Sequence, residues 1–101
     1  MEVRKAPRIL VRLQSHRSAK DYPTTNGTII DLSLFGCRIS SDMPVNPGSV
    51  FTLRMDVPGY EEPIEIERAD VRWVRGREFG LSFLALTTKA YECLIQVIQQ
   101  L

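Results

Sequence analysis

This chain of 101 residues predicts a mainly β fold, a six-stranded antiparallel barrel with a C-terminal α-helix. Three observations carry that expectation. Apolar and polar residues alternate in short runs as far as Phe83, turn-forming residues punctuate those runs at close intervals, and a helical period appears only after Thr87. Strands in so short a chain leave unpaired edges unless the sheet closes, and a barrel removes the edges while the helix lids one opening.

Each element has its own signal. Ile9, Val11 and Leu13 alternate with Leu10, Arg12 and Gln14, predicting a first strand over about 8–16. Ser18 to Asn26 is polar, contains Pro23 and runs into an Asn26-Gly27 pair, so it reads as a loop or hairpin connection. Thr28-Ile29-Ile30 leads into Asp31 at a strand end, and Cys37 and Ile39 alternate with Arg38 and Ser40 in a third strand. After a turn region over Pro44 to Gly48, Val50 to Val57 forms a fourth strand that Pro58-Gly59 turns. Ile64 to Val74 is a long fifth strand whose apolar phase, set by Ile64 and Ile66 and then by Val71 and Trp73, changes near Arg68 to Asp70, as a bulge would make it do. Arg75-Gly76-Arg77 turns into a sixth strand at Phe79 to Phe83. Tyr91, Leu94, Ile95, Ile98 and Leu101 then make one stripe of an amphipathic helix, with Thr87 or Thr88 as its cap. No repeat, low-complexity tract or second domain is visible, so residues 1–101 read as one domain: a flexible basic arm (1–8), a barrel (9–85) and a helix (87–101).

Composition narrows the function. With 44% hydrophobic and 25% charged residues, the chain is ordinary for a soluble globular protein. No apolar run approaches membrane-spanning length and no secretory leader follows Met1, so the expected location is cytoplasmic. Cys37 and Cys93 are too few for a disulfide framework and read as small buried thiols; with the lone His16 they cannot make a four-ligand zinc site without several carboxylates. The net charge of +1 hides an asymmetry, because residues 1–20 carry six basic side chains against Glu2 while the rest of the chain carries −4. A basic arm on an acidic body suits a compact anionic ligand better than a nucleic acid tracked across a broad face.

Two short segments define what that anion can be. Arg4-Lys5-Ala6-Pro7-Arg8 presents two guanidinium groups four residues apart, and Asp31-Leu32-Ser33-Leu34-Phe35-Gly36 presents a carboxylate, a hydroxyl and a bare backbone. Guanidinium planes fork onto phosphate oxygens or the O6/N7 edge of guanine, and a carboxylate accepts from guanine N1–H and N2–H. The two segments thus suit both ends of a guanine nucleotide.

In order and spacing these segments resemble the RxxxR and [D/N]xSxxG motifs of the PilZ domain, a bacterial receptor for the second messenger cyclic di-GMP, and the likeness covers nearly the whole chain. The resemblance implies a PilZ-type barrel and a ligand site made of Arg4, Lys5, Arg8, Asp31, Ser33 and Gly36. Asp31 would read the guanine donors and the basic residues would meet phosphate. Ser33 would offer its hydroxyl or support the loop, and Gly36 would close the turn where φ is positive or where ligand presses on the backbone. In relatives a further Arg before RxxxR accompanies two stacked ligands; Val3 stands there, implying one ligand unless Lys5 or Arg38 lends charge. No cofactor beyond cyclic di-GMP is implied. The output would pass to an unidentified effector protein controlling motility, exopolysaccharide or biofilm, with neither a nucleic acid nor a membrane span involved.

Other readings of the same residues stay open. Asp31 and Ser33 also suit a turn that bonds its own backbone, and the arginines suit a solvated surface. Trp73 reads as a core anchor, His16 as an exposed and idle imidazole, and Glu61, Glu62, Glu65 and Glu67 as solvated carboxylates. With no nucleophile elbow, phosphate loop or metal-ligand pair, the chain reads as a binding protein and not an enzyme. The alternatives are a PilZ-like interaction scaffold without ligand, and a small barrel for single-stranded nucleic acid. The second is disfavoured by an acidic body and by Phe35, Phe51, Phe79 and Phe83 in core phase.

Overall fold

The structure, a computed structural model, describes residues 8–20 and 22–100. In chain order its elements are β1 (Ile9–Ala19), β2 (Tyr22–Leu32), β3 (Gly36–Ser40), β4 (Val50–Asp56), β5 (Ile64–Arg75), β6 (Glu78–Ala85) and α1 (Thr88–Gln100). The strands are antiparallel and close in the order β1-β2-β3-β6-β5-β4, so no edge is left open. The alternation seen in the sequence points Leu13, Ile29, Leu32, Ile39, Leu53, Met55, Ile66 and Phe79 into one buried core.

The first hairpin differs from the expectation. The β1–β2 ladder continues through Ser15 opposite Gly27 and His16 opposite Asn26 to Ala19 opposite Tyr22, so Asn26-Gly27 is mid-strand. Packing explains the glycine there. A Cβ at Gly27 would meet the Ile39 Cγ2 methyl at 2.8 Å, and the Gly27 carbonyl accepts a hydrogen bond from the buried Ser15 hydroxyl at 2.9 Å. The change of phase in β5 is a bulge: Phe51 pairs with Ala69 but Leu53 pairs with Ile66, which leaves β5 one residue longer than β4 over that stretch.

The Thr87 hydroxyl caps α1, accepting the Ala90 N–H at 3.1 Å. The helix packs on β5. Its buried ridge is Ala90, Leu94 and Val97, so of the expected stripe Leu94 is buried and Ile95 and Ile98 are half-buried; small Ala90 permits a close approach, while Tyr91, with its polar hydroxyl, stays 36% exposed. Phe51 and Phe79 are buried and Phe83 half-buried, but Phe35 sits in the turn between β2 and β3 and is exposed. Cys37 is buried and Cys93 only half-buried, because its helix position flanks the buried ridge. Among the described residues, no helix is long and apolar enough to cross a membrane.

Candidate functional site

Asp31 lies near the end of β2, opposite Leu10 of β1 and Arg38 of β3. Its neighbour Leu32 pairs with Cys37 and faces the core, so the period of two turns Asp31 and Arg38 outward. Arg8, immediately before β1, donates from Nη1 to Asp31 Oδ1 at 2.9 Å. The Arg38 Nε lies 3.0 Å from Asp31 Oδ2 without being aligned to donate to it, and Arg38 Nη1 reaches Glu78 Oε1 at 3.4 Å. The carboxylate is thus flanked by two guanidinium groups. Asp31 is only 8% exposed at its side chain, whereas Arg8 is 57% exposed.

The segment after Asp31 holds itself in shape. The Ser33 N–H donates to the Gly36 carbonyl at 2.9 Å, the Ser33 hydroxyl donates to the same carbonyl at 3.3 Å, and the Phe35 N–H donates to the Ser33 oxygen at 3.2 Å. The Phe83 N–H ties the turn to β6 by donating to the Phe35 carbonyl at 2.8 Å. Ser33 therefore spends its one O–H on the turn, which a serine can do without any ligand. Gly36 is not among the glycines of positive φ. It opens β3, where a Cβ would run into the Leu81 carbonyl oxygen of β6. Close strand approach, and not a left-handed turn, excludes a side chain there.

The same outward row continues across the barrel. Arg38 pairs with Gly80 of β6, and Gly80 with Trp73 of β5. Trp73 is not a core residue: its indole lies over Gly80, where any Cβ would collide with the ring, and it is 37% exposed with the Arg75 guanidinium 6.0 Å from its centroid. This face can offer a carboxylate edge, an exposed and a half-buried guanidinium group, and an aromatic surface. Arg38 was legible only as a spare charge; its place two residues beyond Gly36, on one strand face, was the signal for more. Trp73 had a signal in Gly80, a bare strand position beside which a ring can lie flat.

Arg4 and Lys5, with the rest of the predicted arm before Arg8, lie outside the described residues. His16 is not idle. Its Nδ1 bonds Asn26 Oδ1 at 2.8 Å and its Nε2 bonds Asp56 Oδ2 at 2.9 Å, linking β1 to both neighbouring strands. These bonds, Asn26 first, raise its pKa above the ordinary 6.5. Burial pushes the Cys37 thiol pKa far up, with the Asp31 charge adding to it. Glu65 pairs with Arg54 at 3.0 Å and Glu62 with Lys89 at 3.9 Å, and among the described residues no cluster of His, Cys, Asp and Glu forms that could hold a metal.

No curated protein matches the chain by sequence. Solved structures match it closely in fold. The PilZ domain of Escherichia coli YcgR with c-di-GMP superposes with a TM-score of 0.82 at 17% identity, covering 99% of this chain and 92% of that one. The Bacillus subtilis inhibitor of motility MotI/DgrA gives 0.80 at 16% identity, and a longer Escherichia coli YcgR chain in complex with c-di-GMP gives 0.79 at 18%. The match covers 99% and 96% of this chain but only 51% and 45% of those two, so this chain spans about half their length. The family model of the PilZ domain matches residues 2–100. With the closed six-stranded barrel and its C-terminal helix, that match places the chain in the PilZ domain family.

Proposed function

We propose that this PilZ domain is a cytoplasmic receptor for cyclic di-GMP, binding through Arg4, Lys5, Arg8, Asp31, Ser33 and Gly36 and passing the signal to an effector protein that controls motility, exopolysaccharide or biofilm. The observation that carries the proposal is the 2.9 Å contact between Arg8 and Asp31, which joins two motifs 23 residues apart on one outward face. The YcgR structures with c-di-GMP support it as bearers of the same fold.

The geometry suggests an exchange. Asp31 Oδ1 holds Arg8, so a guanine edge donating from N1–H and N2–H takes the place of that guanidinium and frees it for a phosphate. Arg38, braced by Glu78, stays beside Oδ2 and keeps the carboxylate oriented. Arg4 and Lys5 add charge toward the second phosphate. Ser33 and Gly36 act by holding the turn. Val3, which cannot pair with phosphate, points to one ligand per chain.

Calorimetric titration tests this. Cyclic di-GMP should bind near one to one, and cyclic di-AMP poorly, because adenine lacks the donors Asp31 reads. Arg4→Ala and Arg8→Ala should each weaken binding about ten- to a hundredfold, the worth of a charge-assisted hydrogen bond of about 1.5–3 kcal/mol. Equal binding of cyclic di-AMP, or unaltered binding by both variants, overturns the proposal. Affinity capture with and without cyclic di-GMP identifies the effector.

A further inference from the structure

Arg17 faces the opposite way from the residues above. It shares the inward phase of Leu13 and Ser15 on β1 and is only 8% exposed. A buried guanidinium is costly unless a counter-charge faces it. Among the described residues, no carboxylate forms an ion pair with Arg17, although Arg8, Arg38, Arg54, Arg72 and Arg77 all have one. Softer contacts hold it instead: the Phe79 ring centroid at 5.1 Å, that of Phe51 at 5.8 Å, the Met43 carbonyl at 3.1 Å and the Ser41 hydroxyl at 3.4 Å. The two oxygens accept from two of its five N–H donors. Desolvation pulls its pKa down, in keeping with a cation incompletely compensated.

Arg17 also lines a cavity of about 560 Å³ between the end of β1, the start of β2, the loop after β3 and the start of β4. That volume is in the range of small-molecule sites. Its walls are largely apolar, with Pro23, Met43, Val45, Val50 and Phe51 prominent, and Arg17 is the one charged side chain among the described lining residues. A single cation in a half-open, largely apolar pocket matches a single negative charge on an apolar body. A phosphate dianion would bring a second charge that nothing described in the lining meets.

We propose that this cavity binds a small organic monocarboxylate, its carboxylate forked onto Arg17 and its apolar tail lying along Val45, Val50 and Phe51. The proposal does not depend on cyclic di-GMP binding. The site uses none of the residues of the Asp31 face.

The test is an amide chemical-shift titration of the full chain with octanoate, beside 1-octanol and inorganic phosphate. Octanoate should shift the amides of Arg17, Val45, Val50 and Phe51 saturably, with a Kd of about 1 mM or tighter, and octanol and phosphate should bind at least about tenfold more weakly. Arg17→Met should abolish the preference for octanoate over octanol. Because removing a buried arginine can unfold the barrel, Met43→Glu serves as a second variant. Met43 is 55% exposed on the cavity wall, and a glutamate there supplies the carboxylate from within the chain, lowering octanoate affinity at least about tenfold. Absence of shifts at the lining amides, equal binding of octanol or phosphate, or Met43→Glu binding octanoate like the parent overturns the proposal.

Discussion

Replacing Gly36 by alanine adds one carbon to the chain at the point where β3 meets β6. Built on the Gly36 backbone, that Cβ overlaps the Leu81 carbonyl oxygen and comes within 3.3 Å of the Leu81 carbonyl carbon and 3.5 Å of the Ser82 Cα. All three atoms are backbone, so no side chain can rotate away; a strand has to move. Gly36 to Ser40 pair with Ser82 to Glu78, and displacing one end of that ladder loosens the barrel seam. Overpacking of this kind costs about 1–3 kcal/mol, and one ladder hydrogen bond adds about 1 kcal/mol. For a domain of this size, a total of about 2–4 kcal/mol lowers Tm by roughly 10–30 °C. Gly48→Ala is the control: its φ is +86° with no atom within 4 Å of an added Cβ, so it carries only left-handed backbone strain of about 1 kcal/mol. Urea and thermal unfolding of both variants measure the difference. If Gly36→Ala is no less stable than Gly48→Ala, the steric argument fails, and a turn or ligand requirement is the better account of this glycine.

Three further outcomes follow from named contacts. The His16 pKa is raised above 6.5 by its bonds to Asn26 and Asp56, so its stabilising contribution is fully present below pH 6.5 and lost as pH rises through the folded-state value; His16→Gln should flatten that decline, and an imidazole pKa of 6.5 or lower by NMR refutes the bonding. Cys93, half-buried, should be alkylated in the folded protein well before Cys37, whose burial keeps it protonated, and mass spectrometry showing Cys37 modified first contradicts this. Thr87→Ala should cost about 1 kcal/mol by uncapping α1, visible as a lower urea midpoint, and an unchanged midpoint shows the Ala90 N–H finds another acceptor.

Local chemistry was enough to read much of this protein. Alternation placed β1, β3 and β5, because a half-buried strand must present one face to the core at every second residue, whereas the first half of β2, polar and containing Pro23, read as a loop. The bulge in β5 was legible for the same reason, since an extra residue must reverse the phase. The Arg and Asp-Ser-Gly segments were legible as chemistry, but their meeting was not: the 2.9 Å contact of Arg8 with Asp31 exists only because β1 pairs with β2 in one register. Glycines misled wherever the reason lay across the sheet. Gly27 looked like a turn and Gly36 like a left-handed residue or a backbone bared for ligand, whereas Ile39 and Leu81, distant in sequence, leave no room for their side chains. Trp73 and Arg17 reversed places in the same way. A tryptophan that composition assigns to the core lies outside over Gly80, and an arginine that composition assigns to solvent lies inside against Phe51 and Phe79. Side-chain type sets the cost of burial, but strand register and barrel closure decide which side of the sheet each residue occupies, and those are properties of residues far apart in the chain.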